Sequence, residues 1–276
     1  MSLEEPDKLE VELVLQAIQS RYGYDFRNYS ADSIARRLQL AAVKVGALHL
    51  GDLLHRLLRD VDVFTSVLDS LTVRFTELFR DPSFYLAFRS NVLPILRTYP
   101  QLKIWHAGCA SGEEVYSTAI LLSEEGLYDR SQIYATDIST VALEQAREGV
   151  YPAGTLPKSS EQYLCAGGKS DFAQYWSVGY GHIAAVESLR RNVHFFQHNL
   201  VSDYALGEMH VIICRNVLMY FNQELRERVF GMFAKGLYRG GFLCLGSNEA
   251  LPTHQRGAYD ELCPSERIFR HRSYGD

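Results

Sequence analysis

No apolar run in this 276-residue chain approaches the ~20 residues that a membrane-spanning helix needs. Cysteine is scarce: five residues, Cys109, Cys165, Cys214, Cys244 and Cys263, with no CxxC pair, so neither a disulfide framework nor a zinc knuckle is implied. Basic charge is in deficit. With 28 Lys and Arg against 33 Asp and Glu, the net charge of -5 argues against nucleic acid as the main partner, because phosphate binding calls for a net basic face. The start, MSLEEPDKLE, lacks the basic opening and apolar core of a secretory signal, so the expected compartment is the cytoplasm. Internal repeats and low-complexity stretches are absent. What is present, 47% apolar and 22% charged residues, is ordinary globular usage, and the length suits one large domain or a large one with a small one.

The first hundred residues read as helices. Val11, Val14, Leu15 and Ile18 keep three-and-four spacing; Ile34, Leu38, Ala42 and Val45 repeat it after the cap candidate Ser30; Leu50, Leu53, Leu54, Leu57, Leu58 and Val61 form a third stripe. A longer helix is expected from Asp81-Pro82, cap then proline, with Pro94 kinking or ending it. After Pro100 the pattern turns to strand alternating with helix: strands at 102–107, 133–136, 193–197, 211–214 and 241–245, helices at 113–125, 139–148 and 222–238. Such alternation means a parallel sheet with crossover helices, an α/β fold. Residues 150–192 lack a clean period and are too long for a simple connection, which makes them an inserted subdomain or a functional loop.

In an open parallel sheet, ligands bind at the carboxyl ends of the strands where strand order reverses. The first strand ends in Ala107-Gly108-Cys109-Ala110-Ser111-Gly112-Glu113-Glu114, whose small residues let a ligand approach the backbone. Taken alone, Ser111 and Glu114 also read as a capping box. Two carboxylates at a helix start would repel a dinucleotide pyrophosphate but welcome an ammonium group. Asp137 follows the second strand, where an acid commonly bonds ribose hydroxyls, although it also reads as a helix cap. A nucleoside ligand with an amino group and no phosphate describes S-adenosylmethionine. His106 and the pair His194 and His198 invite a metal check; the HxxxH pair lies in a strand-like run, and no metal is expected.

The stretches Leu71-Thr72-Val73-Arg74-Phe75-Thr76-Glu77-Leu78-Phe79-Arg80-Asp81-Pro82, Ala110 to Ser117, Ala135-Thr136-Asp137-Ile138, Asn199-Leu200, and Cys214-Arg215-Asn216-Val217-Leu218-Met219-Tyr220-Phe221 occur in an order that resembles the chemotaxis receptor glutamate methyltransferases, the CheR family. The likeness covers nearly the whole chain. It implies an all-helical domain with its linker over 1–80 and a Rossmann-like, class I methyltransferase domain over 81–276, with a small antiparallel β-subdomain inserted at 150–192. It implies, further, that Thr76 and Arg80 reach over the cofactor, that Gly108 and Glu114 hold the methionine amino group and Asp137 the ribose, and that Asn199 and Leu200 border the adenine. Arg215, Asn216 and Tyr220 would line the pocket near the methyl group. Arg80 and Tyr220 are the expected catalytic pair, and Arg36 and Arg37 the expected contacts to an acidic helical methylation region. Arg74 stands where many relatives have Asn, and the family's Gly-His-Ser-Glu reads Gly246-Ser247-Asn248-Glu249.

The expected activity is therefore transfer of a methyl group to glutamate carboxylates of a chemoreceptor or related sensory protein, by a monomer without an integral membrane segment. A related methyltransferase of another acceptor, and a non-catalytic cofactor-binding scaffold, are the alternatives. Retention of Glu114, Asp137, Arg80 and Tyr220 weighs against the scaffold.

Overall fold

The computed structural model describes residues 8–26, 31–71 and 76–272. They cluster into two compact units, one drawn from residues 1–75 and 220–228, the other from 76–219 and 229–276.

The first unit holds the helices Lys8–Tyr22, Ala31–Lys44, Leu50–Leu57 and Val61–Leu71. Their buried positions, Val11, Val14 and Ile18, then Ile34 and Leu38, then Leu50, Leu53 and Leu57, are the three-and-four stripes of the sequence. The stripe that runs to Val61 is in fact two helices. Asp60 separates them: its carboxylate accepts the Asp62 N–H at 2.8 Å and so caps a helix that buries Phe64, Val67, Leu68 and Leu71. Tyr22 stacks on Phe64 with ring centroids 3.8 Å apart and donates its hydroxyl to the Leu57 carbonyl at 2.6 Å. Residues from the far end of the sequence return here, since Tyr24 bridges Phe221. Gly23, at φ +76°, lies under Leu225, where a Cβ would come within 2.5 Å of Cδ1. The cap candidate Ser30 and Arg74 fall outside the described residues.

The second unit is built on strands β1 (Leu102–Ala107), β2 (Ser131–Asp137), β3 (Val150–Pro152), β4 (Trp176–Gly179), β5 (His182–Ala185), β6 (Val193–Gln197), β7 (Met209–Cys214), β8 (Leu237–Leu245), β9 (Tyr259–Cys263) and β10 (Ile268–His271). Seven of them form one sheet in the order β6-β2-β1-β7-β8-β10-β9. The five from β6 to β8 are parallel; β10 is antiparallel to both of its neighbours. β1 is the middle one of the five parallel strands, and Ile104, Trp105 and Ala107 are buried, as a strand covered on both faces requires. Trp105 satisfies its indole N–H on Thr136 Oγ1 at 2.9 Å. The chain leaves β1 for β2 on one side and reaches β7 on the other, which makes the carboxyl end of β1 the switch point of a Rossmann-like sheet.

Helix Glu113–Glu124 follows β1, and Thr140–Glu148 follows β2. The latter is capped by Ser139 rather than by Asp137, Ser139 Oγ accepting the Ala142 N–H at 3.2 Å, and Gly149 ends it at φ +61°. The helix starting at Pro82 does not end at Pro94. It passes through a π turn over Phe88–Val92, in which the Leu93 N–H reaches the Phe88 carbonyl, and continues over Leu93–Leu96. Proline has no N–H for the carbonyl four residues back, and the π turn absorbs that loss.

The stretch 150–192 carries a second sheet, antiparallel, in the order β3-β5-β4. It also contains a helix, Leu156–Cys165, that hydropathy does not reveal because it buries only Ser159 and Tyr163. The insertion is stapled to its host. Arg89 pairs with Glu124 and, at 2.7 Å, with Glu125, and it donates to the Ala166 carbonyl at 3.2 Å; Tyr163 donates to the same Glu124. Among the described residues no helix is long and apolar enough to cross a membrane.

Candidate functional site

The loop after β1 is held open by its backbone. Gly108 at φ +84°, Ala110 at 46° and Gly112 at +90° all take left-handed conformations, and the Gly108 and Cys109 N–H groups both donate to the Thr136 carbonyl at 2.8 Å. Gly108 has no room for a side chain: a Cβ would lie 2.5 Å from Val217 Cγ2. The capping box is not formed. Helix Glu113–Glu124 starts on Gly112 without a side-chain cap, while Ser111 Oγ donates to Glu113 Oε2 at 2.8 Å and the Ser111 carbonyl accepts the Tyr151 hydroxyl at 2.8 Å.

Glu114 turns to other partners. His106 Nδ1 lies 3.3 Å from its Oε1, and Arg215 Nη1 donates to its Oε2 at 2.8 Å. Burial pushes the Glu114 carboxyl up, but the His106 hydrogen bond and the Arg215 charge outweigh it and hold the group below the ordinary carboxylate value. Arg215 is itself buried. Its Nη2 donates to Asp81 Oδ2 at 2.8 Å, and its guanidinium sits 4.1 Å from the Phe84 ring centroid. Asp81, expected as a helix cap, makes no side-chain cap bond and instead completes this ion chain.

Glu113 behaves oppositely: burial pushes its carboxyl up to about 7, against the pull of the Ser111 hydrogen bond. An acid whose folded pKa lies above its ordinary 4.5 stabilises the fold fully below pH 4.5 and loses that contribution as pH rises toward 7. At about 1.4 kcal/mol per pKa unit the loss is on the order of 3 kcal/mol. Glu113→Gln is expected to flatten the stability profile between pH 5 and 7 and to melt higher than the parent at pH 8. Urea unfolding at both pH values checks this, and identical slopes for the two proteins would contradict it.

Asp137, at the end of β2, is oriented by two backbone donors, Ala110 N–H on Oδ2 at 2.8 Å and Ser139 N–H on Oδ1 at 2.9 Å, and so ties the β1 loop to the β2 end. Past β6, the Asn199 side-chain oxygen accepts the Val201 N–H at 2.9 Å, and Leu200 is buried. Past β7, Asn216 is left-handed at φ 61°. Thr76 and Arg80 are half-buried, and Arg80 stands between two left-handed residues, Phe79 at 55° and Asp81 at 56°. Such non-glycine backbone costs of order 1–3 kcal/mol each and persists only when its surroundings over-determine it. Here they do: the Phe79 N–H donates to Ser117 Oγ at 2.8 Å, and its ring packs among Tyr85, Tyr163 and Phe172.

The structure thus gathers Gly108, Glu114, Asp137, Arg215 and Asn216 at the carboxyl ends of β1, β2 and β7, links Arg80 to them through Asp81, and puts Asn199 and Leu200 at the end of β6. Tyr220, Arg36 and Arg37 belong to the helical unit. The Tyr220 carbonyl accepts the Asp25 N–H at 2.9 Å, and its ring lies 6.0 Å from Phe26. Arg36 is exposed; Arg37 is half-buried and donates to the Leu71 carbonyl at 3.2 Å, closing the end of helix Val61–Leu71. His194 Nε2 meets Gln132 Oε1 at 2.6 Å and His198 Nε2 the Tyr204 carbonyl at 2.8 Å. One contributor carries no motif signal: His106, whose only sign is its place at the end of β1; Glu249, in the Gly246-Ser247-Asn248-Glu249 stretch, accepts the Asn216 N–H at 3.1 Å.

Two family models match in tandem: the CheR methyltransferase all-alpha domain over residues 9–72 and the CheR methyltransferase SAM binding domain, SAM being S-adenosylmethionine, over 74–266. The protein named "Putative methyltransferase Cher3" of Pseudomonas putida is 44% identical over 98% of this chain and 99% of its own length. A chemotaxis protein methyltransferase of Vibrio parahaemolyticus is 33% identical over 79% of this chain and 80% of its own. Another, of Listeria monocytogenes, is 29% identical over 83% and 85%.

Proposed function

Since the chain belongs to the CheR methyltransferase family, we propose that it methylates glutamate side chains of a chemoreceptor or related sensory protein, forming methyl esters. The observation that carries the reading is the acidic start of helix Glu113–Glu124. There Glu114 is kept ionised by His106 and Arg215, with Asp137 fixed at the neighbouring strand end. These groups suit S-adenosylmethionine: Glu114 the ammonium, Asp137 the ribose hydroxyls, the bare Gly108 backbone a close approach, Asn199 and Leu200 the adenine.

When bound, S-adenosylmethionine supplies an electrophilic methyl group. A glutamate acceptor is already ionised near pH 7, so no general base is needed. The work left to the protein is placement with water excluded, which can supply several kcal/mol. We assign it to Arg80 and Tyr220. A single hydrogen bond from Arg80 orients the acceptor carboxylate without quenching it as a bidentate clamp would. The test is incubation with labelled cofactor and sensory proteins of the source organism. Base-labile methyl on glutamate supports the reading, and base-stable label or none defeats it.

The acceptor's acidic helix is steered, in this reading, by Arg36. Arg37 serves the fold by closing a neighbouring helix. Charges on a surface act within ~8 to 10 Å at 0.1 to 0.15 M salt. Arg36→Glu should therefore slow protein methylation severalfold at 20 mM salt and converge with the parent at 300 mM. Superimposable salt curves would confine Arg36 to a solvated helix face.

A further inference from the structure

The turn Gly246-Ser247-Asn248-Glu249, at the end of β8, departs from the family's Gly-His-Ser-Glu only at its two middle residues, and both are exposed. Glu249 is 5% exposed. Its Oε2 accepts the Gly246 N–H at 2.7 Å and the Asn216 N–H at 3.1 Å; its Oε1 accepts the Val217 N–H at 3.0 Å and the Leu218 N–H at 2.7 Å. Four donors are about what an ionised carboxylate can accept, and no other side chain of this length can accept them all. The cradle is closed, because a Cβ on Gly246 would lie 2.8 Å from both Glu249 Oε2 and the Asn216 nitrogen.

Three of the four donors belong to the turn that leaves β7, which is also the wall of the cofactor cleft. Arg215 opens the turn and holds Glu114 at 2.8 Å. Val217 presses on Gly108 so closely that no Cβ fits between them. Left-handed Asn216 stands between the two. We propose that Glu249 is a positioning residue for cofactor binding: by gathering the amides of 216–218 it sets where Val217 meets Gly108 and where Arg215 meets Glu114. The proposal rests on the reading that this cleft holds S-adenosylmethionine.

The experiment measures the Kd of S-adenosylhomocysteine by calorimetry, with thermal melts, for the parent, Glu249→Gln, Glu249→Asp and the double control Ser247→Ala with Asn248→Ala. Glutamine turns an NH2 group toward backbone donors, so Glu249→Gln is expected to raise Kd at least tenfold in protein that still melts cooperatively. Aspartate keeps the charge but is one methylene short, and a smaller rise is expected. The double control should bind as the parent does. Folded Glu249→Gln with the parent's Kd, even at a lower Tm, would show a purely structural role and overturn the proposal. Should Glu249→Gln fail to fold, an unchanged Kd in folded Glu249→Asp overturns it equally. A parent that binds no S-adenosylhomocysteine defeats the cofactor reading itself, and the proposal falls with it.

Discussion

Replacing Arg80 with alanine is expected to lower the methylation rate at saturating cofactor by about 100-fold, the usual consequence of losing correct placement of reacting groups. That corresponds to about 2.7 kcal/mol of barrier. Arg80 is presented by a turn whose two neighbours, Phe79 and Asp81, both hold left-handed backbone, and each is anchored elsewhere, Phe79 on Ser117 and Asp81 on Arg215. The turn therefore survives loss of the side chain between them, and affinity for S-adenosylhomocysteine should change by less than about threefold, under 0.7 kcal/mol. Arg80→Lys keeps the charge but not the planar donor fork, and should recover part of the rate. Rapid-mix methylation with the true acceptor separates the two quantities. Normal turnover in Arg80→Ala, or a binding defect as large as the rate defect, would remove Arg80 from the catalytic role.

The second large effect concerns Arg215. Its side chain is 3% exposed, and its charge is balanced by Glu114 and Asp81, which are 21% and 43% exposed. Removing one partner of a buried ion pair costs about 3–5 kcal/mol, and the partial hydration of both carboxylates favours the low end. Arg215→Met is thus expected to lower Tm by about 6 to 12 °C, at ~2 to 4 °C per kcal/mol for a chain of this size. Glu114, held below its ordinary pKa partly by that guanidinium, contributes stability above its ordinary value of 4.5 that is lost as pH falls through the depressed value. The gap between parent and variant should therefore narrow in acid. A double cycle with Glu114→Gln should show a coupling of about 0.5–3 kcal/mol. Additive effects would mean that the two side chains act independently despite their 2.8 Å contact.

How far the residues alone disclosed this arrangement depended on whether their contacts are local. β1 and β6 were legible to the residue, because strand periodicity and flanking turns are local. So was the end of helix Thr140–Glu148, whereas its cap is Ser139 rather than Asp137. Helix Leu156–Cys165 was not, since its buried face is a serine and a tyrosine rather than an apolar stripe. Helix Val61–Leu71 merged with its predecessor because a three-residue break does not disturb hydropathy. At the site, Gly108, Glu114 and Asp137 announce themselves by spacing. The partners of Glu114 do not: His106 is eight residues away and Arg215 is 101, just as Glu249 reaches the amides of Asn216, Val217 and Leu218 across 31 to 33. Arg37 is a further case, a cation whose hydrogen bond to a carbonyl 34 residues away its residue type does not announce. Chemistry defined by residue type is readable; chemistry defined by what a side chain meets is not.

The inserted sheet has an entry and an exit that touch. The Ala185 N–H donates to the Gly149 carbonyl at 2.9 Å, and Val150 pairs with Ala184 across the first and last strands of the insertion. Because the two ends of the segment meet, the spacing of the strands in the seven-stranded sheet does not set its length. Glu124 sets a condition on any replacement of this segment: it must bring hydroxyls where Tyr163 and Tyr175 stand and an amide where Lys169 stands, or a buried carboxylate is left without three of its donors.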